Sequence, residues 1–297
     1  MEKEAVSHYT VLKDEVVDFI GLSPHETIVD ATVGGGGHSY AVLEKYPNKK
    51  VIGIDKDEYA LSVAEDRLKE FEGRYHLIKG SFKDIDKILD SLGKEKVGGF
   101  IFDLGVSHFQ LKLDRGFSFN REEFLDMRMD KDNPLTAYDV VNSYPEYKLE
   151  EIIKKYGEER FAKRIAKNIV EQRKKKKIET TKELENIIFH SYPRKLRHGR
   201  IHPATKTFQA IRIEVNNELS EIEEALQKAI DRLDTEGILA VISFHSLEDR
   251  IAKKIIKENS QLKKLEVLTK KPIIPKDIEI KENKASRSAK LRVAKRI

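Results

Sequence analysis

One short stretch does most to limit how this chain can fold. Residues 27–33, Thr-Ile-Val-Asp-Ala-Thr-Val, are apolar and β-branched enough to form a buried strand, and glycines 34–37 follow at once, ahead of a helical segment at 38–46. A strand that passes through a glycine turn directly into a helix opens a parallel, doubly wound α/β sheet. In such sheets ligands bind beyond the carboxyl ends of the strands.

The same alternation continues. A second strand at 50–54 ends on Asp55, a helix at 58–71 places Ala60, Leu61, Ala64 and Leu68 at helical spacing, and strands are expected near 76–79 and at 99–104. The next convincing strand is 238–244. A strand-helix-strand crossover needs only about 30 residues, so most of the intervening chain is surplus to the sheet. A mainly helical insertion is therefore expected at 113–203, dividing the sheet domain into 1–112 and 204–297.

Within the insertion, Leu149, Ile152, Ile153 and Tyr156 mark one amphipathic face ending at Gly157, and Phe161, Ile165 and Ile169 mark another. Thr180 and Glu183 have the spacing of a capping box. The return to the sheet is expected through one long helix carrying Phe208, Ile211, Val215, Leu219, Ile222, Leu226 and Leu233 and stopping near Gly237. Residues 288–297 alternate Ala289, Leu291 and Val293 with Lys290 and Arg292, which suits a half-exposed closing strand.

Composition narrows the chemistry. The chain contains no cysteine, which excludes disulfides, thiolate metal sites and a cysteine nucleophile. Its net charge of +5 is small, but the positive residues gather at 173–177, 194–200 and 284–296; such runs are usually solvated surface and support an RNA partner only together with other features. The first residues lack the layout of a signal peptide, and no apolar run approaches the roughly 18 residues of a membrane span, so a cytoplasmic protein is expected.

Asp30, Gly34 and Gly36 fit an acidic-x-x-x-Gly-x-Gly pattern, in which glycine lets a ligand approach the backbone at a helix N-terminus. Asp55, at the tip of the second strand and about 20 residues past the first acid-and-glycine turn, is placed to accept hydrogen bonds from ribose hydroxyls. Together they indicate an adenosine-containing cofactor. Contiguous glycines suit S-adenosylmethionine, which has no phosphate, better than a dinucleotide, which favours spaced glycines around a pyrophosphate. A nucleotide-dependent oxidoreductase on the same fold is the alternative enzyme reading.

Phe82, just past the third strand, is a candidate to stack on adenine, with a plain core role as the alternative. Asp103 terminates the fourth strand beside the expected cleft, where an acid is seldom present for packing. His198 and His202 have metal-compatible spacing on an expected helix, but their basic neighbours and Pro203 argue against it, and no metal is expected. His245 follows the fifth strand beside the same cleft, next to Ser246 and Asp249, which read as a helix cap.

The chain also resembles a known family. His8-Tyr9-Thr10-Val11-Leu12, the run from Asp30 to Ser39, Asp103-Leu104-Gly105-Val106-Ser107, Gln110-Leu111 and Arg115-Gly116-Phe117-Ser118-Phe119 are similar to motifs of the ribosomal RNA small-subunit methyltransferase H (MraW) family. So are Leu125-Asp126-Met127-Arg128-Met129-Asp130, His202-Pro203-Ala204-Thr205-Lys206-Thr207-Phe208-Gln209-Ala210, Ser243-Phe244-His245-Ser246-Leu247-Glu248-Asp249-Arg250 and Ser286-Arg287-Ser288-Ala289-Lys290. Two departures stand out: Arg121-Glu122-Glu123-Phe124 replaces a usual Gly-Pro, and His108 falls within a Ser-Ser-x-Gln stretch.

The resemblance implies a Rossmann-like class I methyltransferase with an inserted helical, RNA-binding domain. The implied activity is S-adenosylmethionine-dependent methylation of a cytosine N4 amine in the decoding region of 16S rRNA, within a small ribosomal subunit or its precursor, with S-adenosyl-L-homocysteine as product. It implies cofactor contacts at Gly36, Gly37, His38, Asp55, Phe82, Asp103 and Gln110.

Elementary chemistry agrees with methylation at nitrogen. Methylation of cytosine at carbon five generally needs a covalent cysteine adduct, and that route is closed here. Methylation at the amine needs only alignment and hydrogen-bond acceptors. Asp103 is the candidate acceptor, with cofactor binding alone as its other role. A non-catalytic RNA-binding assembly factor is the reading from a different class. It accounts for the basic runs but not for the set Asp30, Asp55 and Asp103.

Overall fold

A computed structural model of the chain describes residues 10–105 and 114–297. Gln110, with the motif residues His8, Tyr9, Val106, Ser107, His108 and Leu111, lies outside them. The chain divides into two compact units, Met1–Gly105 with Leu219–Ile297, and Val106–Glu218.

The first unit is built on a seven-stranded sheet among the described residues. Its strands are β1 (Thr27–Asp30), β2 (Lys50–Asp55), β3 (Tyr75–Lys79), β4 (Val97–Asp103), β5 (Leu233–Ser243), β6 (Leu265–Val267) and β7 (Lys290–Arg296), in the order β3-β2-β1-β4-β5-β7-β6. Strands β1 to β5 pair in parallel, whereas β7 is antiparallel to both β5 and β6. This is the doubly wound, mainly parallel α/β sheet expected from the sequence.

Because side chains alternate along a strand, each strand feeds two cores. Val29, Phe100, Phe102, Leu239 and Val241 face one of them, and Ile28, Ile101, Ala240, Ile242 and Val293 face the other. The first is covered by α4 (Ile85–Ser91), α10 (Glu218–Arg232) and α11 (Ser246–Gln261). The second is covered by α1 (Lys13–Gly21) and α2 (Gly37–Lys45). Helix α3 (Glu58–Leu68) packs on β2 and β3. Phe100 and Phe102 are completely buried, and each contributes about 2–3 kcal/mol by leaving water.

Strand β7 corrects one expectation. It lies between β5 and β6, and Leu291, Arg292, Val293 and Ala294 are all buried, so it is an internal strand rather than a half-exposed closing one. Arg292 tolerates this because Asp249 accepts from both Nε, at 2.7 Å, and a terminal guanidinium nitrogen, at 3.2 Å.

The second unit has its own core. It contains α5 (Ala137–Ser143), α6 (Glu146–Gly157), α7 (Ala162–Arg173), α8 (Thr181–Ser191) and α9 (Ala204–Asn216), with Leu149, Ile153, Ile165, Ile169, Leu184, Ile188 and Ile211 at their mutual contacts. Thr180 and Glu183 form the expected capping box. A second box, from Thr136 and Asp139, opens α5.

The seam differs from the expected 113–203 and follows from a break in the return path. One long helix was expected, but Asn217 adopts a left-handed conformation with φ 50° and separates α9 from α10. Helix α9 therefore belongs to the second unit. No helix among the described residues is long and apolar enough to cross a membrane.

Candidate cofactor and catalytic site

The carboxyl ends of β1, β2 and β4 bring three aspartates to the same end of the first unit. Asp30 ends β1 and is only 1% exposed. Its carboxylate accepts a 2.7 Å hydrogen bond from the Ser39 hydroxyl, and burial pushes its pKa up to about 6 against that bond. The glycine turn begins beyond it. Gly36 takes φ 76°, a conformation that favours glycine, and a Cβ on Gly37 would stand 2.0 Å from Oγ1 of Thr10.

Asp55 at the end of β2 ties this turn to the next strand. Its carboxylate accepts the Gly34 N–H at 3.0 Å and the Asp57 N–H at 2.9 Å. An ionised carboxylate can accept about four hydrogen bonds, so two neighbouring ribose hydroxyls remain within its capacity. Burial pushes Asp55 up to about 6.

Asp103 at the end of β4 is the most perturbed of the three. Its backbone N–H donates to Thr32 Oγ1 at 2.6 Å, which fixes the strand end, but its Oδ1 is buried and has no hydrogen-bond partner among the described residues. Burial first, then the charges of Asp30 and Glu248, push Asp103 up to about 8. A group in this state lacks a cation or a donor. Both the positively charged S-adenosylmethionine and an amine N–H would fit that need, so the residues present suit this cofactor.

His38 and Phe82 serve the interior as well as the cleft. The His38 ring is buried, with Nε2 3.0 Å from the Val11 carbonyl oxygen and Nδ1 3.8 Å from Asp103 Oδ2. What it offers toward the turn is its place in the first helical residues of α2, where amides lack intrahelical acceptors. Phe82 meets Phe102 edge-on at 6.2 Å and carries the Lys56 ammonium over its ring at 5.6 Å. Gln110 lies outside the described residues.

Glu248 is the residue beside this site that sequence reasoning did not single out. The cap of α11 is not Ser246 with Asp249 but His245 with Glu248, whose Oε2 accepts the N–H groups of Phe244 at 2.8 Å and His245 at 3.2 Å. Glu248 is fully buried, and its charge acts on Asp103. The available signal was the spacing of a capping box displaced by one residue, with histidine in an unusual capping position.

This geometry can be set beside known proteins. A model of the MraW methylase family matches residues 5–297. The chain belongs to that family. The family is one of S-adenosylmethionine-dependent methyltransferases, which removes the oxidoreductase reading.

Similar curated proteins named "Ribosomal RNA small subunit methyltransferase H" include one from Sulfurihydrogenibium azorense, 66% identical over 98% of this chain and 100% of the relative. Another is from Persephonella marina, at 64% over 98% and 100%. Among solved structures, this chain is similar to a putative rRNA-methylase from Clostridium thermocellum, with a TM-score of 0.48 and 15% identity over 97% of each chain.

The three basic runs sort differently in this family member. In 284–296, Lys290 and Arg292 pair with Asp249 and Lys295 pairs with Glu266, whereas Lys284 and Arg287 are exposed. In 173–177, Arg173 is structural: its guanidinium donates to the carbonyls of Val141 at 2.7 Å and Tyr144 at 2.6 Å. Lys174, Lys175, Lys176 and Lys177 are exposed. In 194–200, Arg194, Lys195, His198 and Arg200 are exposed, whereas Arg197 lies over the Phe189 ring.

His198 and His202 do not share a helix. His202 stacks on Phe119 with ring centroids 4.7 Å apart, and its Nε2 is 3.3 Å from Glu185. His198 meets Phe189 edge-on.

Proposed function

We propose that this chain transfers the methyl group of S-adenosylmethionine to the exocyclic N4 amine of a cytidine in the decoding region of 16S rRNA, leaving S-adenosyl-L-homocysteine. The substrate is a small ribosomal subunit or its precursor, in the cytoplasm. The names borne by relatives at 64–66% identity support ribosomal RNA as the substrate. The observation that carries the chemistry is Asp103, a strand-end carboxyl whose buried Oδ1 has no partner among the described residues, in a chain without cysteine.

S-adenosylmethionine, when bound, supplies an electrophilic methyl group and a positive charge. Asp55 holds ribose hydroxyls, the Gly36–Gly37 turn and the start of α2 receive the polar end of the cofactor, and Phe82 covers the adenine. Cationic charge beside Asp103 favours its ionised form, and an ionised Asp103 accepts an N–H of the target amine. Accepting that N–H draws electron density onto nitrogen as it becomes pyramidal, and the proton lost from the amine has a carboxylate to receive it. The base must leave its stack to reach this acid, and exposed lysines and arginines of the second unit suit the surrounding RNA backbone.

The test is methyl transfer from labelled S-adenosylmethionine to small-subunit particles lacking the modification, followed by nucleoside mass analysis. N4-methylcytidine should appear with the unaltered protein and disappear with Asp103→Ala. Cofactor binding without transfer to particles or to naked rRNA would overturn the assignment and favour the assembly-factor reading.

A further inference from the structure

The second unit contains a cavity of about 350 Å3 between the end of α7 and the face of α8, with the turn at 174–177 as its rim. That volume is at the lower end of the roughly 300–1,000 Å3 typical of small-molecule sites. Two acids reach the lining, and both are already engaged. Glu171 pairs with Lys167, and Glu183 holds Lys176 at 2.6 Å while accepting the backbone N–H groups of Glu179 and Thr180.

Lys175 and Lys177 line the same space and have no acidic partner among the described residues. The cavity is thus left with uncompensated positive charge. Around it stand neutral groups with hydrogen-bonding capacity. The Gln172 and Asn186 side chains make no hydrogen bond among the described residues. His190 directs Nδ1 to the Asn186 carbonyl oxygen at 2.8 Å, which leaves Nε2 as its other polar atom. The apolar contribution comes from Ile178, which is buried, and Ile187.

We propose that this cavity binds one nucleotide of a single-stranded RNA segment, with its phosphates held by Lys175 and Lys177 and its ribose and base edge read by Gln172, Asn186 and His190. Cations alone would suit any polyanion. Amide and imidazole groups beside an apolar floor add what a ribose 2′-hydroxyl and a base require. The inference rests on the RNA-methyltransferase reading and assigns a holding role to a surface apart from Asp103.

The test uses the full chain and a short fluorescein-labelled single-stranded oligoribonucleotide, followed by anisotropy across a salt series. Lys175→Gln/Lys177→Gln should weaken binding about tenfold and lower the salt slope by about 1.4, the value for two lost phosphate contacts to a single strand. Lys154→Gln/Lys163→Gln, which removes equal charge outside the cavity, should leave the slope near that of the unaltered protein. Gln172→Ala/Asn186→Ala should reduce the preference for this RNA over the oligodeoxyribonucleotide of the same sequence.

Equal effects of the two lysine pairs, or an unchanged RNA preference in the amide variant, would overturn the assignment and reduce the rim to a general polyanion surface. Methyl transfer to small-subunit particles is measured in parallel. Normal transfer by the cavity variants with unaltered RNA affinity defeats the cavity alone. Cavity-dependent RNA binding without any transfer by the unaltered protein defeats the enzymatic reading alone.

Discussion

Oδ2 of Asp103 stands 3.8 Å from Nδ1 of His38, whose other ring nitrogen is anchored to the Val11 carbonyl oxygen at 3.0 Å. The distance is too long for a hydrogen bond, so the histidine lies beside the carboxyl without satisfying it. Asp103 is therefore held close to neutral charge at physiological pH by burial and by its acidic neighbours, in a position suited to a cation and an amine.

Replacing Asp103 by asparagine separates chemistry from folding. Turnover at saturating cofactor should fall by roughly 100-fold or more, the range for removing a positioned acid-base or charge-stabilising group. The melting temperature should not fall, because a neutral amide replaces a buried acid that resists ionisation. Full turnover in the variant, measured under single-turnover conditions, would exclude the amine-acceptor role.

The stability of the cofactor-free protein should decline with rising pH. Asp30, Asp55 and Asp103 all have folded pKa values above the usual carboxylate value, at about 6, 6 and 8. Between the unfolded and folded values the native state binds more protons than the unfolded chain, so their contribution is present at low pH and lost as pH rises through 6 and then 8. Thermal melts from pH 5 to 9 should show this decline. S-adenosylmethionine, which carries a sulfonium charge, should flatten it more than S-adenosyl-L-homocysteine does. A flat profile without cofactor would contradict the burial of these acids.

Asp249 titrates in the opposite sense. Burial raises its pKa, but Arg292 and Lys290 outweigh that effect, and the net shift is downward. Its contribution is present above the unfolded carboxylate value and lost as pH falls through the folded one. Asp249→Ala leaves Arg292, which is 9% exposed, without its partner and should cost about 3–5 kcal/mol in denaturant unfolding. A loss below 1 kcal/mol would mean that water reaches the guanidinium.

Gly37→Ala should be far more damaging than its single methyl suggests. The added Cβ would lie 2.0 Å from Thr10 Oγ1 and 3.2 Å from Thr10 Cβ, so the turn or the preceding segment must shift. Cofactor affinity by calorimetry should drop, and Thr10→Ala should partly restore it by clearing the space. Absence of any rescue would place the damage elsewhere.

Arg173 and Lys175 are only two residues apart but should behave differently. Arg173→Gln removes charged hydrogen bonds to two carbonyls and should destabilise the second unit by about 2–3 kcal/mol, with little change in the salt dependence of RNA binding. The reverse result in a paired melt and anisotropy experiment would reassign it to the RNA surface.

Strands β1, β2 and β4 were readable because each announced itself twice, by an apolar run and by an acid at its end, Asp30, Asp55 or Asp103, whereas the three-residue β6 was too short to read. What escaped was set by tertiary contact. Asn217 interrupts a periodic apolar pattern that reads continuously through it. Lys290 and Arg292 look like an exposed basic face until Asp249 is known to lie beside them. The influence of Glu248 on Asp103 depends on two strand ends that no spacing rule connects. Likewise, the neutralisation of Glu183 by Lys176 can be read only once α7 and α8 are packed.

The insertion of Val106–Glu218 between hydrogen-bonded neighbours β4 and β5 also has a consequence during synthesis. At typical elongation rates a ribosome needs on the order of ten seconds to make that segment. Throughout this interval the growing chain carries β4, with Val97, Phe100, Ile101 and Phe102, as an open edge awaiting a strand not yet translated. The nascent protein must survive this delay before its sheet can close, and early folding of the helical unit, which has a core of its own, shortens the stretch of unstructured chain beside that edge.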